Sequence, residues 1–207
     1  MNIFILIIAL IAAYLIGAIP FGWLIGKYNG VDIRTVGSGN IGATNVTRSI
    51  GKAAGRLCFA ADFVKGFLPT LVAHWLFPEH PAAVLGVAAA AILGHMFPCY
   101  LKFRGGKGIS TSAGAALAIV PYPLLLALAA WLVLFGLTKY VSVGSIGAAI
   151  ALICGAWAGR IFQIGSPAAQ SLVTAIFCTV LGVVAIYRHR ENIRRLYNGT
   201  ENRFGKK

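Results

Sequence analysis

Acidic residues are scarce in this chain, which has five Asp and Glu against 18 Lys and Arg among its 207 residues. Charged residues of either sign make up only 11% of the sequence, whereas hydrophobic residues make up 58%. This composition argues against a water-soluble domain and is typical of a membrane protein. The basic excess does not indicate nucleic-acid binding, because these residues lie in loops between apolar segments, as Lys and Arg do in cytoplasmic loops.

Several catalytic and metal-binding patterns are absent as well. The cysteines Cys58, Cys99, Cys154 and Cys178 show no CxxC or Cys/His spacing, so we interpret them as buried apolar residues. The sequence contains no GxSxG or HExxH pattern, and we expect neither a metal nor another cofactor. The N-terminal apolar run lacks a basic leader and is too long for a cleavable signal peptide.

Seven apolar segments are candidates for membrane-spanning helices, each of which needs roughly 20 residues to cross the hydrocarbon region. The fourth segment is shorter than this. It could therefore fuse with the fifth through Pro121-Tyr-Pro123 to give six spans, since prolines can kink a helix as well as form a turn. The segments are residues 3–26, 53–77, 82–99, 109–120, 122–137, 143–159 and 168–187.

The distribution of basic residues distinguishes the two counts. With seven spans only Arg160 lies on the outer side and Lys65 lies within a span, whereas six spans divide the charges almost evenly. Because cytoplasmic loops are rich in Lys and Arg, we predict an all-α integral membrane protein, a single domain of seven transmembrane helices. Its N-terminus is then outside and its C-terminus cytoplasmic. The inner residues are Lys27, Arg34, Arg48, Lys52, Arg56, Lys102, Arg104, Lys107, Lys139, Arg188, Arg190, Arg194, Arg195, Arg203, Lys206 and Lys207.

Three polar segments interrupt the apolar chain, and this topology places all of them on the cytoplasmic side. The first is Gly37-Ser-Gly-Asn-Ile-Gly-Ala-Thr-Asn45, followed by Arg48. Its glycines allow backbone N–H groups to converge on an anion, and Arg48 offers a bidentate contact to phosphate. The alternative is a flexible loop of ordinary turn residues.

The second segment is Arg104-Gly-Gly-Lys-Gly108, which precedes an apolar run. At the start of a helix it would offer backbone N–H groups and the Lys107 ammonium to one phosphate. It does not match a nucleotide-binding P-loop, because Lys107 is not followed by Ser or Thr and Leu101 occupies the first glycine position. The alternative is a basic turn beside the membrane.

The third segment is His189-Arg-Glu-Asn-Ile-Arg-Arg-Leu196, directly after the last apolar run. On a continuous helix His189 and Asn192 would share a face, as would Asn192 and Arg195. The alternative is a basic helix that rests on anionic lipid headgroups.

Polar residues also lie in or beside the spans. Asp62 and Lys65 are three residues apart inside the second span, where charges are usually functional, although an ion pair that joins two helices explains them equally well. Ser142 and Ser145, at the start of the sixth span, could reach a cytoplasmic site or cap the helix.

The three segments occur here in a specific form and order. They read Gly-Ser-Gly-Asn-x-Gly-Ala-Thr-Asn-x-x-Arg, then Gly-His-x-Phe-Pro-x-x-x-x-Phe-x-Gly-Gly-Lys-Gly, then His-Arg-x-Asn-Ile-x-Arg-Leu-x-x-Gly-x-Glu. Over essentially its whole length the chain resembles the bacterial acyl-phosphate:glycerol-3-phosphate acyltransferases, the PlsY family. The resemblance implies an inner-membrane enzyme that moves a fatty acyl group from acyl phosphate to the 1-hydroxyl of sn-glycerol 3-phosphate. Its products would be lysophosphatidic acid and phosphate, in the first step of phospholipid synthesis.

The resemblance also implies roles for individual residues. Ser38, Arg48, Lys107 and Asn192 would hold glycerol 3-phosphate, and backbone N–H groups of residues 39–44 would hold the acyl-phosphate head. Asn45 and Ser142 would shape the site. The proton acceptor is either His189 or a substrate phosphate oxygen. Candidate catalytic residues are Ser38, Arg48, Lys107, Ser142, His189 and Asn192; candidate substrate-binding residues are Gly37, Gly39, Asn40, Gly42, Ala43, Thr44, Asn45, His95, Lys102, Gly105, Gly106, Gly108, Thr111, Arg195 and Glu201.

The expected partners follow from this chemistry. They are the two substrates, membrane lipid and, as a candidate, the enzyme that makes acyl phosphate, but no nucleic acid. Acyl phosphate is a mixed anhydride with a good leaving group, so we expect no covalent acyl-enzyme. A transporter of organic phosphates and a non-catalytic binder of anionic lipids remain alternatives. The lipid binder would tolerate Lys107→Ala, and the transporter would need basic residues on both membrane faces.

Overall fold

The computed structural model describes residues 1–205, so Lys206 and Lys207, which the charge count includes, lie outside the described residues. The described chain is all-helical and separates into two compact units, Met1–Ala118 and Ile119–Lys207.

The first unit is built from six α-helices and a short 3₁₀ helix, Cys99–Leu101. Its long apolar helices pack through small residues. Helix α1 packs against α5, and α4 packs against α1, α3 and α5. Gly17 lies directly on the α5 backbone at Ala91, and Gly66 lies on the α6 backbone at Thr111. A side chain at either glycine would separate the helices, so these contacts need the small residue. The helices are α1 (Ile3–Ala18), α2 (Phe21–Tyr28), α3 (Ala43–Ser49), α4 (Lys52–Leu76), α5 (Pro81–Met96) and α6 (Ile109–Ile119).

The first apolar segment, predicted as one span over residues 3–26, is one candidate span over Ile3–Tyr28 that consists of two helices. Helix α1 ends at Ala18, and α2 begins at Phe21 immediately after Pro20. Proline has no N–H to donate and its ring clashes with the preceding turn, so it interrupts the helix. The interruption leaves the carbonyl of Ile19 available to a side chain from α4.

The second unit contains four helices, with α8 packed between α7 and α9. Gly155 of α8 lies against Pro123 of α7, which allows the two backbones to approach closely. Pro121 occupies the first turn of α7, where a missing N–H costs nothing. Segments four and five are therefore two helices rather than one fused span. The helices of this unit are α7 (Pro121–Thr138), α8 (Val141–Ile161), α9 (Leu172–Arg188) and α10 (Arg190–Tyr197).

Within residues 1–205, five helical segments are long and apolar enough to cross a membrane. A sixth is obtained if α9 and α10, which meet at a 50° bend, are counted as one span. Helix α6 has only 11 residues, about 16 Å at the α-helical rise. The predicted count of seven therefore depends on α6. The last apolar segment, expected from residue 168, begins as a helix at Leu172, where the Ser171 hydroxyl accepts the N–H of Thr174.

Candidate functional site

The glycine-rich loop of the first unit is held in shape by one buried amide, that of Asn45 in α3. Its Nδ2 donates to the carbonyl oxygens of Ile33 at 2.9 Å and Val36 at 3.0 Å. Its Oδ1 accepts the backbone N–H of Ser38 at 2.9 Å. Because Asn45 is only 2% exposed and both ends of its amide are engaged in the loop, we assign it to shaping the loop rather than to touching a substrate.

Gly37 is required by this arrangement for two reasons. Its φ of 59° lies in the left-handed region, which favours glycine. A Cβ at this position would also overlap the Oδ1 atom of Asn45. The loop and its organising amide therefore depend on each other.

The predicted backbone cradle over residues 39–44 is partly occupied by internal hydrogen bonds. The N–H of Gly39 donates to the Val36 carbonyl at 3.0 Å, and the N–H of Gly42 donates to Oδ1 of Asn40 at 2.9 Å. These two groups cannot bind a phosphate in this conformation. Ala43 and Thr44 open helix α3, and Ser38 is exposed on the loop surface, so the remaining candidate donors lie around these residues.

Asp32, the acidic residue nearest this loop in sequence, is paired with Arg34. The side chain of Arg34 donates to both carboxylate oxygens of Asp32, with distances of 2.7 and 2.9 Å. These hydrogen bonds lower the pKa of Asp32 to about 2. The aspartate is therefore ionised at neutral pH but paired, which reduces its repulsion of an approaching phosphate. Arg48, half-buried in the last turn of α3, is the basic candidate on the helix itself.

The Gly-Gly-Lys-Gly loop is fastened to the end of α5. The N–H of Gly106 donates to the His95 carbonyl at 3.2 Å. A side chain at Gly105 would overlap the His95 carbonyl, and one at Gly106 would overlap the His95 ring. After Gly108, helix α6 begins at Ile109. The prediction that this loop opens a helix is confirmed, and His95 forms the surface on which the loop rests.

Two other predicted binding residues near this loop differ in accessibility. Lys102 is exposed and adopts a left-handed φ of 52°, in a turn closed by the N–H of Phe103 donating to the Pro98 carbonyl at 2.9 Å. Thr111 is fully buried where α6 crosses α4, and its hydroxyl has no hydrogen bond to the described residues. In this conformation Thr111 is a packing residue rather than a surface contact.

In the second unit, the carboxylate of Glu201 gathers the polar side chains. Its Oε1 accepts from Ser142 Oγ at 2.9 Å and from Asn192 Nδ2 at 2.7 Å, and its Oε2 accepts from Arg195 Nε at 2.7 Å. Burial raises the pKa of Glu201, but these three donors together hold it below its ordinary value. Glu201 is thus an anion at neutral pH. A buried anion would repel a phosphate, so its contacts favour a positioning role over substrate binding.

The serines at the start of α8 are not helix caps. The N-cap residue of α8 is Tyr140, which makes no side-chain cap, while the Ser145 hydroxyl donates to the Val141 carbonyl at 2.9 Å. The Ser142 hydroxyl is directed to Glu201 instead. Nothing in the spacing of the sequence indicated this pairing, because the two residues are 59 positions apart.

The C-terminal tail just beyond Glu201 makes a contact that the sequence did not predict. The N–H of Phe204 donates to the Lys139 carbonyl at 2.8 Å, and its ring meets that of Phe135 edge-on with centroids 5.6 Å apart. The tail therefore returns to the turn between α7 and α8.

His189 lies at the bend between α9 and α10 and is the N-cap residue of α10. Its carbonyl accepts the N–H of Ile193 at 2.9 Å, so His189 and Asn192 lie within one helical turn of each other. Helix α9 ends at Arg188 and α10 begins at Arg190. The Nδ1 atom of His189 lies 2.8 Å from the Ala185 carbonyl. A carbonyl can only accept, so Nδ1 carries a proton, and in the neutral ring the lone pair is then on Nε2.

In the described part of the chain, no group of three or more His, Cys, Asp or Glu side chains is placed to hold a metal ion.

Comparison with known proteins shows which family the chain belongs to. A family model described as glycerol-3-phosphate acyltransferase matches residues 7–199. A glycerol-3-phosphate acyltransferase of Aquifex aeolicus is 45% identical over 195 residues, which cover 94% of this chain and 96% of that protein. One of Syntrophotalea carbinolica is 46% identical over 198 residues, covering 95% and 96%.

Solved structures with the same arrangement of helices are also known. The crystal structure of PlsY, an integral membrane glycerol 3-phosphate acyltransferase, in its glycerol 3-phosphate form matches with a TM-score of 0.87 and 42% identity over 97% of this chain and 96% of that one. Its lysophosphatidic acid form matches with a TM-score of 0.83, 42% identity, and coverage of 97% and 95%.

Proposed function

Because the chain belongs to the PlsY family of glycerol-3-phosphate acyltransferases, we propose that it takes its acyl group from acyl phosphate and transfers it to the 1-hydroxyl of sn-glycerol 3-phosphate. The products are lysophosphatidic acid and inorganic phosphate, and the reaction begins phospholipid synthesis. We place the enzyme in the bacterial inner membrane, where the acyl-phosphate-forming enzyme is a candidate partner.

The observation that carries this proposal is the loop of residues 105–108. Its glycines lie against the end of α5, and its lysine stands directly before the first turn of α6. Backbone N–H groups at a helix start, together with an ammonium group, form a binding place for one phosphate. The loop is fastened to the end of α5 by contacts within the protein.

The reaction needs alignment and charge stabilisation rather than an enzyme nucleophile. The glycerol hydroxyl attacks the carbonyl of a mixed anhydride, and phosphate leaves with the bonding electrons. Holding two reactants in line can lower a barrier by roughly 7–11 kcal/mol in favourable cases, and donors that are already oriented toward the departing phosphate usually contribute most. We therefore expect direct transfer without an acyl-enzyme.

We assign residues of the first unit to phosphate binding by their chemistry and exposure. Ser38 supplies a hydroxyl from the exposed loop, Arg48 a guanidinium from α3, and Lys107 an ammonium from the loop before α6. Asn45 and Gly37 maintain the conformation of the glycine-rich loop.

In the second unit, Asn192 and Arg195 present donors for a phosphate and are oriented by Glu201. The Nε2 atom of His189 has the lone pair needed to accept the proton of the attacking hydroxyl, because Nδ1 is committed to the Ala185 carbonyl. A phosphate oxygen of the substrate is the alternative acceptor, and the pH profile in the Discussion separates the two.

The acyl chain has a suitable groove in the first unit, between α1 and α4. The groove has a volume of about 680 Å³ and is lined almost entirely by apolar residues, including Ile8, Ile16, Leu68 and Val72. Burial of each methylene contributes about 0.8 kcal/mol, so a groove of this kind suits a fatty chain. We propose that the acyl chain lies here.

We further propose the predicted topology, in which α6 completes seven crossings and the C-terminus is cytoplasmic. The supporting observation is the separation of α6 from α7 at Pro121. Alkaline phosphatase and green fluorescent protein fused after residue 205 and within residues 162–171 test it. Fluorescence from the first position and phosphatase activity from the second are expected, and the reverse pattern would contradict the topology.

The decisive experiment is phosphate release by the purified protein supplied with palmitoyl phosphate, with and without glycerol 3-phosphate. Release that requires the acceptor and yields lysophosphatidic acid supports the proposal. Palmitoyl-coenzyme A and palmitoyl-acyl carrier protein serve as matched donor controls. Product formed only with either of these controls would contradict the donor assignment.

The same preparation tests for direct transfer. Intact-protein mass spectrometry after exposure to palmitoyl phosphate alone should show no added palmitoyl group. A stoichiometric adduct that glycerol 3-phosphate discharges would contradict direct transfer.

A further inference from the structure

A cluster of charged side chains is buried inside the first unit, in the part of α4 that the sequence places within a span. Lys65 Nζ lies 2.7 Å from Asp62 Oδ1, and these side chains are only 3% and 2% exposed. Lys65 also donates to the Ile19 carbonyl at 2.7 Å, the group left available by the break before α2. On the other oxygen of Asp62, the Cys58 thiol donates at 3.7 Å.

The cluster extends to α5 through His95. Its Nδ1 lies 3.5 Å from Asp62 Oδ1, and the ring is 4% exposed. The other ring nitrogen, Nε2, is the atom that a side chain at Gly106 would overlap. One imidazole thus contacts the carboxylate on one edge and the backbone of the Gly-Gly-Lys-Gly loop on the other.

Stability alone is a weak explanation for this ion pair. Taking two charges out of water costs about as much as their attraction returns, and apolar replacements of a buried pair are often neutral or stabilising. The aspartate oxygen that receives Lys65 is also the oxygen nearest His95. Asp62, paired with Lys65, therefore lies beside the ring that supports the loop.

We propose that Asp62 and Lys65 are positioning residues for the acyltransferase reaction: through His95 they hold the loop of residues 105–108 in the conformation that receives the phosphate of glycerol 3-phosphate. The inference rests on the proposed phosphate-binding function of that loop. The proposal predicts that substrate affinity falls even when both charges of the pair are removed together, so that no unpaired charge remains.

The test compares wild type with the doubly neutral variant Asp62→Asn/Lys65→Met, which removes both charges and leaves no unpaired ion. We expect the variant to melt within a few degrees of wild type in detergent. Its KM for glycerol 3-phosphate should rise about tenfold while kcat changes less than threefold. A wild-type KM combined with a lowered melting temperature would show a purely structural ion pair and overturn the proposal.

A second variant keeps the proposal testable if the double variant does not fold. His95→Gln retains a polar side chain but cannot bridge Asp62 and Gly106, so it should raise the same KM by a similar factor. Combining it with the double variant should add little, because all three changes break one connection. A wild-type KM in His95→Gln, or a rise that simply multiplies in the combined variant, would also overturn the proposal.

A control and an independent readout separate this inference from the identity of the donor. Glu79→Gln removes an exposed carboxylate from the turn between α4 and α5 and should leave both constants unchanged. The rise in melting temperature that glycerol 3-phosphate produces needs no acyl donor. That rise should shrink in the cluster variants even if palmitoyl phosphate proves to be the wrong donor.

Discussion

The two units each organise a polar centre around one buried side chain, but the two side chains differ in kind. Asn45 in the first unit is neutral, and its hydrogen bonds go to the backbone of a loop between 7 and 12 residues away. Glu201 in the second unit is an anion, and its hydrogen bonds come from side chains, one of them 59 residues away.

This difference separates two ways to prepare a phosphate site. A neutral amide can shape a loop of backbone groups without adding charge, so the loop remains attractive to an anion at any ordinary pH. A carboxylate can orient amide and guanidinium groups, but it also neutralises part of their positive charge. The first centre should therefore be sensitive to shape and the second to protonation.

The largest effect is expected when the neutral centre is removed by Asn45→Ala. Two carbonyls and one N–H lose their partner, and a buried unsatisfied group costs about 1–3 kcal/mol. We expect a loss of roughly 3 kcal/mol in the free energy of unfolding and a fall in activity of about 100-fold, measured by thermal unfolding in detergent and by phosphate release. The control is Asn29→Ala, which removes an exposed hydrogen bond from the Asn29 side chain to the Ile25 carbonyl. Equal losses of stability and activity in the two variants would show that Asn45 does not organise the loop.

The next effect concerns rate and lies in the second unit. If Nε2 of His189 accepts the hydroxyl proton, His189→Asn should lower kcat by about 100-fold or more, the usual contribution of general base catalysis. The wild-type rate should also rise with pH toward a plateau, because a general base must be unprotonated, and the variant should lack this rise. A kcat within threefold of wild type would assign the proton to a substrate phosphate oxygen instead.

A smaller effect is expected when the charged centre is made neutral by Glu201→Gln. The amide retains an acceptor for Ser142 or Asn192 but loses the ion pair with Arg195, so the donors are oriented less well. We expect the KM for glycerol 3-phosphate to rise about tenfold with little change in melting temperature. Glu191→Gln, an exposed carboxylate on α10, is the matched control, and an equal change there would point to net charge rather than orientation.

The smallest expected effect is a difference between the two centres in how the melting temperature changes as the pH falls. The folded-state pKa of Glu201 is lowered by its donors, so its contribution to stability is complete above the ordinary glutamate pKa of about 4.3 and is lost as the pH falls through the lowered value. Melting temperatures measured between pH 6 and 3 should therefore fall less steeply in Glu201→Gln than in wild type. In Asn45→Ala the melting temperature should be lower at every pH, and its dependence on pH should match that of wild type.

Local sequence predicted much of the fold because its signals act over a few residues. Apolar segments predicted the helices, and the apolar run of residues 109–120 predicted the helix after Gly108. The distribution of basic residues predicted that α6 and α7 are separate helices, which they are, whereas the break before α2 at Pro20 was not predicted. The bend at His189 had no signal of this kind, because no proline or glycine lies between Tyr187 and Leu196.

By itself, the sequence determined the membrane class, the family and the residue types that suit phosphate, since hydropathy, charge and motif order do not depend on folding. Only the tertiary structure showed which of these residues are held by contacts within the protein and which groups they hold. Asn45 closes a loop, Glu201 gathers donors from distant helices, and His95 joins a buried ion pair to a glycine loop. The physical reason is that hydrogen bonds and ion pairs form between side chains that packing brings within about 3 Å, and chain spacing does not reveal that proximity.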